Sequence, residues 1–196
     1  MRVVAGELRG RRLSSVPGRE TRPTSDRARA GVFDWLRDRV SGARVLDLFA
    51  GTGALGIEAL SRGAREAVFV ERARPALRVL RRNLAELGLE ARARVLERDL
   101  SRGLGPLAGD GIAFELVLAD PPYEGDWLPR LVSCETLGRI LGPGAVVIAE
   151  RSARSAPANP PAGGGALELR GTKRYGETAF DWYEATGAAG RGGSQT

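Results

Sequence analysis

The chain has no histidine, one cysteine, one methionine and, among 30 basic residues, a single lysine. Each scarcity removes a class of chemistry. With Cys134 alone there is no intramolecular disulfide, and without imidazoles neither the usual ligand sets of a structural zinc site nor a Ser–His relay can be assembled. The reading is therefore of a protein without metal. No apolar run approaches the roughly 20 residues of a membrane helix, and the opening stretch MRVVAGELRGRRL lacks the apolar segment of a signal peptide. The expectation is a cytoplasmic monomer. The 196 residues suffice for one sizeable core and fall short of two full domains.

What the chain does have is arginine, placed unevenly. Residues 1–44 hold eleven arginines against five acids, which accounts for the whole net charge of +6. The remainder is neutral. A localised cationic segment suits a polyanion, because neutralising phosphates releases counterions. A solvated face in an arginine-rich protein is the plainer alternative.

From residue 44 onward, short apolar runs alternate with helical patterns. The runs 44–49, 66–71, 93–97, 114–119 and 145–149 have the continuous apolarity of buried parallel strands. The segments 54–63, 74–88 and 127–141 have helical length and period. Such alternation predicts an α/β protein with a doubly wound, mostly parallel sheet and right-handed crossovers. Residues 165–185 break the rhythm as two strands around a glycine-bearing loop, so the sheet should end in an antiparallel hairpin. Upstream, the stretch RPTSDRARAGVFDWLRDRV forms an amphipathic helix with Val32, Phe33, Leu36 and Val40 on one side and Thr24 or Ser25 as its cap. Residues 1–16 suit a small β extension. The composition of 155–165 is that of a loop, and the tail from 187 should be disordered.

The stretch LDLFAGTGALG at 46–56 fits the G-x-G-x-x-G pattern of dinucleotide sites, with Glu71 placed about 20 residues on to hold a ribose. Asp47 argues against a nicotinamide cofactor. A carboxylate inside a buried strand is costly without a partner, so it belongs at the strand's carboxyl end, facing the ligand crevice. There it would repel a pyrophosphate and favour an ammonium. S-adenosylmethionine carries an ammonium and no phosphate.

The stretch LADPPYEGDW at 118–127 decides the chemistry. Two prolines stiffen the backbone after Asp120 and remove donors. The Asp120 carboxylate and the Pro121 carbonyl can each accept a hydrogen bond from one exocyclic amine of a base, with Tyr123 stacking on it. Orientation of the amine matters more than base strength, because the product sheds its proton easily after transfer.

Taken with AGELRGRRL, RPTSDR and KRYGETAFDWY, these motifs make the chain resemble the RsmD-type 16S rRNA guanine-N2 methyltransferases over nearly its whole length. The resemblance implies a Rossmann-like class I methyltransferase with a seven-stranded sheet, S-adenosylmethionine as cofactor, and 16S rRNA in the assembling small ribosomal subunit as partner. Its divisions would be a basic β extension over 1–22, the methyltransferase domain over 23–186, and the tail 187–196. By position, the resemblance gives the methionine side of the cofactor to Asp47, Phe49, Gly51, Gly53 and Leu55. The ribose falls to Glu71 with Arg72, and the adenine to Asp99 with Leu100. Asp120, Pro121, Pro122 and Tyr123 would form the catalytic loop, with Asp120 also touching the cofactor. Arg22, Pro23, Thr24 and Asp26 would cover the cofactor. RNA contacts would come from Arg9, Arg11, Arg12, Arg22, Arg27, Arg29, Lys173 and Arg174. The chain departs from the family at Ala30-Gly31, where a Glu is usual, and in its Pro- and Gly-rich loop 155–165.

Plainer readings stand beside these. Asp99 can simply cap the following turn, and Trp127, Trp182 and Tyr183 read as packing residues. Cys134 reads as a small buried hydrophobe. Two other functions share the motifs: adenine-N6 methylation of DNA or RNA, since Asp-Pro-Pro-Tyr serves that amine equally, and RNA binding in ribosome assembly without catalysis.

Overall fold

A computed structural model of the chain describes residues 1–16, 25–108, 111, 113–122, 125–161 and 166–186. Among the described residues seven strands form one sheet in the order β3-β2-β1-β4-β5-β7-β6. They are β1 (Arg44–Leu48), β2 (Glu66–Glu71), β3 (Ala93–Glu97), β4 (Phe114–Ala119), β5 (Leu141–Ser152), β6 (Leu167–Tyr175) and β7 (Thr178–Ala185). The first five are parallel, whereas β7 runs antiparallel to both β5 and β6. The hairpin expected at 165–185 is therefore present, turning at Gly176, whose φ of 63° suits a residue without a side chain.

Among the described residues six α-helices cover the sheet: α1 (Asp26–Leu36), α2 (Ala54–Ser61), α3 (Arg74–Glu86), α4 (Gly105–Ala108), α5 (Trp127–Val132) and α6 (Glu135–Ile140). Strand residues alternate between two cores. Val45, Leu116, Val146 and Ile148 join α1, α2 and α3 on one face, while Leu46, Leu48, Val117 and Val147 join α4, α5 and α6 on the other. The cap of α1 is Ser25, whose hydroxyl accepts from the Ala28 amide at 3.1 Å. Thr24 lies outside the described residues.

One expectation needs correction. The single helix expected over 127–141 is two short ones. The chain interrupts at Ser133, and Cys134 adopts an extended conformation (φ −80°, ψ 108°) before α6 begins. Leu141 then opens β5 instead of closing the helix. The small β extension expected in residues 1–16 is an arm with an antiparallel bridge between Arg2 and Arg12, flanked by bonds from the Val3 amide to the Arg11 carbonyl at 2.9 Å and from the Leu13 amide to the Met1 carbonyl at 3.0 Å.

The arm is fastened to the helices by buried polar side chains. Glu58, fully buried in α2, accepts from the amides of Val4 and Ala5 at 2.7 and 3.0 Å. The Ser61 hydroxyl donates to the Ala5 carbonyl and accepts from the Leu8 amide. Asn83 in α3 accepts from the Ser14 amide at 2.8 Å and donates to the Ser14 and Thr52 carbonyls at 3.2 and 2.9 Å. Val3 and Leu13 enter the core between these anchors. Gly6 has a φ of 83°, and a Cβ on it would lie 1.8 Å from the Ser61 carbonyl oxygen, so only glycine lets the arm come this close.

Helix α1 meets the hairpin with equal closeness. A Cβ on Gly31 would stand 2.4 Å from the Tyr175 ring. The departure at Ala30-Gly31 thus coincides with a place where an aromatic ring fills the space of the missing side chain.

Candidate active site

The strand order reverses direction between β1 and β4, and the carboxyl ends of those strands leave the crevice in which open α/β sheets bind ligands. A cavity of about 660 Å³ occupies it. The wall includes Asp47, Phe49, Gly51, Leu55, Glu71, Arg72, Asp99, Leu100 and Asp120, so the residues expected from the motifs converge on one space.

The loop between β1 and α2 owes its shape to glycine. Gly51 and Gly53 have φ of 56° and 87°, and a Cβ on Gly53 would lie 2.4 Å from Leu80. Gly56 lets α2 close onto the sheet, since a Cβ there would meet Phe69 at 2.3 Å. Phe49 reaches a φ of 61° without being glycine. That conformation costs roughly 1–2 kcal/mol for an L-residue, a strain typical of ligand sites. The Phe49 ring meets Trp127 edge-on, with centroids 5.1 Å apart.

The carboxylates are held by backbone donors. Asp47 is 1% exposed and accepts from the Gly56 amide at 2.8 Å, which caps the first turn of α2 from outside the helix. Burial pushes its carboxyl up to about 8 against the lowering effect of that bond, and the negative charges of Asp120 and Glu71 add to the rise. Glu71 accepts from the Gly51 amide at 2.8 Å and from the amides of Arg72 and Ala73 at 2.7 Å each. It thereby pins the glycine loop to the end of β2. Burial raises Asp120 to about 6.

Asp99 differs. The Ser101 amide donates to it at 2.9 Å and Arg72 at 3.0 Å. These bonds, the Ser101 amide foremost, then the Ser101 hydroxyl and Arg72, hold its carboxyl down at about 2. The turn-capping role and the place on the cavity wall coexist in this residue.

These groups fit S-adenosylmethionine. Asp47 and Glu71 retain acceptor lone pairs beyond the bonds described. Asp47 and Asp120 are carboxyls without a cation recorded beside them among the described residues, the setting in which an ammonium or sulfonium is favoured. The glycine loop leaves its backbone open to close approach.

Pro121 and Pro122 line the cavity next to Asp120. Tyr123, Arg22, Pro23 and Thr24 lie outside the described residues. Asp26 is engaged with Arg2 and Arg29 at 3.1 and 2.8 Å. Among the arginines assigned to RNA, Arg9, Arg12 and Arg27 are exposed, as are Lys173 and Arg174 on the hairpin. Arg11 is exposed and donates to the Glu86 carbonyl at 2.8 Å. Arg29 is a correction: it is fully buried, donates to the Arg2 carbonyl and Asp26, and lies 3.7 Å from Glu58. Its guanidinium belongs to the clamp that holds the arm, and the helical period that puts Arg27 outward turns Arg29 inward.

Sequence reasoning missed several wall residues. Ser15 and Val16 of the arm reach the cavity, and so does Trp127, which was read as packing. Trp182 and Tyr183 do pack: Trp182 meets Trp35 at a tilt of 54° with centroids 4.9 Å apart, and the buried Tyr183 hydroxyl donates to the Ala158 carbonyl at 2.7 Å. Burial raises the Tyr183 phenol above its ordinary value. Asn83 was legible in principle, as the one polar residue on the apolar stripe of α3 with Ala76, Leu77, Leu80 and Leu84.

Strand order, glycine loop and placement of the acidic residues define a class I methyltransferase fold. The family described as conserved hypothetical protein 95 matches residues 1–184. Escherichia coli ribosomal RNA small subunit methyltransferase D is 33% identical over 184 residues, covering 94% of this chain and 89% of that protein. Bacillus subtilis YlbH, named provisionally as an rRNA methyltransferase, is 35% identical over 187 residues, covering 95% of this chain and all of that one. The solved structure of Escherichia coli yhhF, described provisionally as a methyltransferase, superposes with a TM-score of 0.76 at 34% identity, covering 94% of this chain and 97% of that one. The chain belongs to the RsmD-type methyltransferase family.

Proposed function

We propose that the protein transfers a methyl group from S-adenosylmethionine to the exocyclic N2 amine of one guanine in 16S rRNA, acting as a cytoplasmic monomer on an assembling small subunit. One observation carries the reading. Asp120 and the stiff Pro121-Pro122 turn open onto the same cavity as Glu71 and Asp99, so a base amine and an adenosine cofactor share one space. The names of the Escherichia coli and Bacillus subtilis relatives support rRNA as the substrate class.

In this reading Glu71 holds the ribose hydroxyls, Asp99 accepts from the adenine amine, and Asp47 faces the methionine ammonium. Bound there, S-adenosylmethionine supplies an electrophilic methyl on a sulfonium. The chain's own contribution is placement. An exocyclic amine is a poor nucleophile because its lone pair is delocalised into the ring. Two acceptors, the Asp120 carboxylate and the Pro121 carbonyl, fix its two N–H bonds and turn the lone pair toward the methyl. With its carboxyl near 6, Asp120 is mostly ionised at pH 7 and can accept. The exposed Arg9, Arg12, Arg27, Lys173 and Arg174 hold RNA phosphates, so activity falls as salt rises.

The test is transfer of isotopically labelled methyl from S-adenosylmethionine to small subunits lacking the modification, followed by nucleoside digestion. Label in N2-methylguanosine is the expected result. Label in N6-methyladenosine overturns the base assignment, and no label despite RNA binding leaves an assembly factor without catalysis.

A further inference from the structure

Besides glycines and carboxylates, the cavity wall carries the apolar side chains of Phe49, Pro121, Pro122 and Trp127. Trp127 opens α5 and is half-buried, and the Phe49 ring meets it at 5.1 Å and 74°. Gly125, at a φ of 92°, brings the preceding turn against the indole, where a Cβ would lie 3.6 Å away. Trp35 and Trp182 pack on the α1–α3 core and on each other. Among the described residues Trp127 joins neither core cluster, and it lies on the cavity wall beside Phe49 and Gly125.

We infer that Trp127, braced edge-on by Phe49, is the platform against which the acceptor purine lies while its amine points to Asp120 and the Pro121 carbonyl. The inference rests on the proposed methyl transfer to a base. Beside the stacking that the sequence assigns to Tyr123, which lies outside the described residues, two hydrogen bonds to one amine leave the base room to pivot, and a second flat apolar surface removes the pivot. An aromatic face does so at little conformational cost, because an indole has only two side-chain torsions. It also favours a purine, which offers more stacking area than a pyrimidine. Phe49 holds its strained backbone for a purpose under this assignment, since it fixes the angle of the indole. Trp127 is thus a positioning residue for the acceptor, distinct from the residues that hold the cofactor.

The test compares wild type with Trp127→Ala, Trp127→Leu and Trp127→Phe. The readouts are methyl transfer to small subunits lacking the modification and S-adenosylhomocysteine affinity by calorimetry. Wild-type turnover tests the proposed function on its own, so its failure is separable from failure of the platform. Trp127→Ala should lower kcat/KM for the subunits about 10- to 100-fold, as loss of base stacking does, mainly through KM. S-adenosylhomocysteine affinity should stay unchanged, which also shows that the variant is folded. Trp127→Leu keeps apolar bulk without a π-face and should match Trp127→Ala, whereas Trp127→Phe should recover most of the loss. Unchanged kcat/KM in the Ala or Leu variant overturns the inference. So does a loss matched by an equal loss of S-adenosylhomocysteine affinity, which would assign Trp127 to the cofactor.

Discussion

The two ends of the sheet bury acidic side chains by opposite means. At the β1–β2 end, Asp47 and Glu71 are satisfied by backbone amides and face a cavity. At the hairpin end, Asp181 is fully buried against Arg151, with bonds of 2.6 and 2.9 Å to one guanidinium and a third from the Thr172 hydroxyl. That guanidinium also donates to the Ser152 and Ser155 carbonyls, which ties down the chain leaving β5. A carboxylate held by amides keeps lone pairs for a ligand. Asp181, neutralised by a buried arginine away from the cavity, has its charge already answered and serves the fold. The difference separates a binding end from a structural end in a single sheet.

The largest effect expected falls on the binding end. Asp120→Ala should reduce kcat by about 10²- to 10⁴-fold, the range for a group that orients or accepts a proton in the transition state. S-adenosylhomocysteine affinity, measured by calorimetry, should change little. Unaltered turnover would remove Asp120 from the mechanism. At the structural end, Arg151→Met leaves Asp181 buried without its cation and should cost about 3–5 kcal/mol of stability. Denaturant unfolding reads this loss, while activity of the molecules that remain folded should be close to normal. If catalysis suffers and stability does not, the division between the two ends is wrong.

A smaller change is expected at the junction of arm and sheet. Gly6→Ala forces a Cβ onto the Ser61 carbonyl and should cost about 1–3 kcal/mol. Because the same arm brings Ser15 and Val16 to the cavity, S-adenosylhomocysteine affinity should fall alongside the melting temperature.

The smallest effect is a pH dependence of ligand affinity. The Asp47 carboxyl is raised from 3.8 to about 8 in the folded protein. The folded state therefore holds a proton that the unfolded chain releases, and this group alone makes stability decline as pH rises from about 4 to about 8. An ammonium-bearing ligand favours the ionised form, so its binding releases that proton. S-adenosylhomocysteine affinity should rise between pH 6 and 7 by at most about tenfold, the limit for one linked proton. Asp47→Asn should flatten the slope. A slope that survives this substitution would place the titrating group elsewhere.

The sheet and its glycine loop were legible because their signals are local. Asp47, Gly51, Gly53 and Gly56 lie within ten residues, and each has a steric or electrostatic reason that spacing reveals. Asp120 was legible because Asp-Pro-Pro-Tyr has little structural use. The arm was opaque because its anchors are distant: Glu58, Ser61 and Asn83 hold residues 4 to 14 across more than fifty positions. Arg29 misled for the same reason, since charge density gives no sign of which arginine turns toward Glu58. The break at Ser133 and Cys134 was overlooked because the segment has the length of one helix, although its apolar face changes phase between Val132 and Leu137.

The contact between Gly31 and Tyr175 has a consequence for how this sequence can drift. A methyl group at position 31 would stand 2.4 Å from the Tyr175 ring, so one of the two must give way. The two sites behave as one inherited character. A larger residue at 31 should be tolerated only on a background already reduced at 175, and Gly31→Thr, harmful alone, should become acceptable beside Tyr175→Ala.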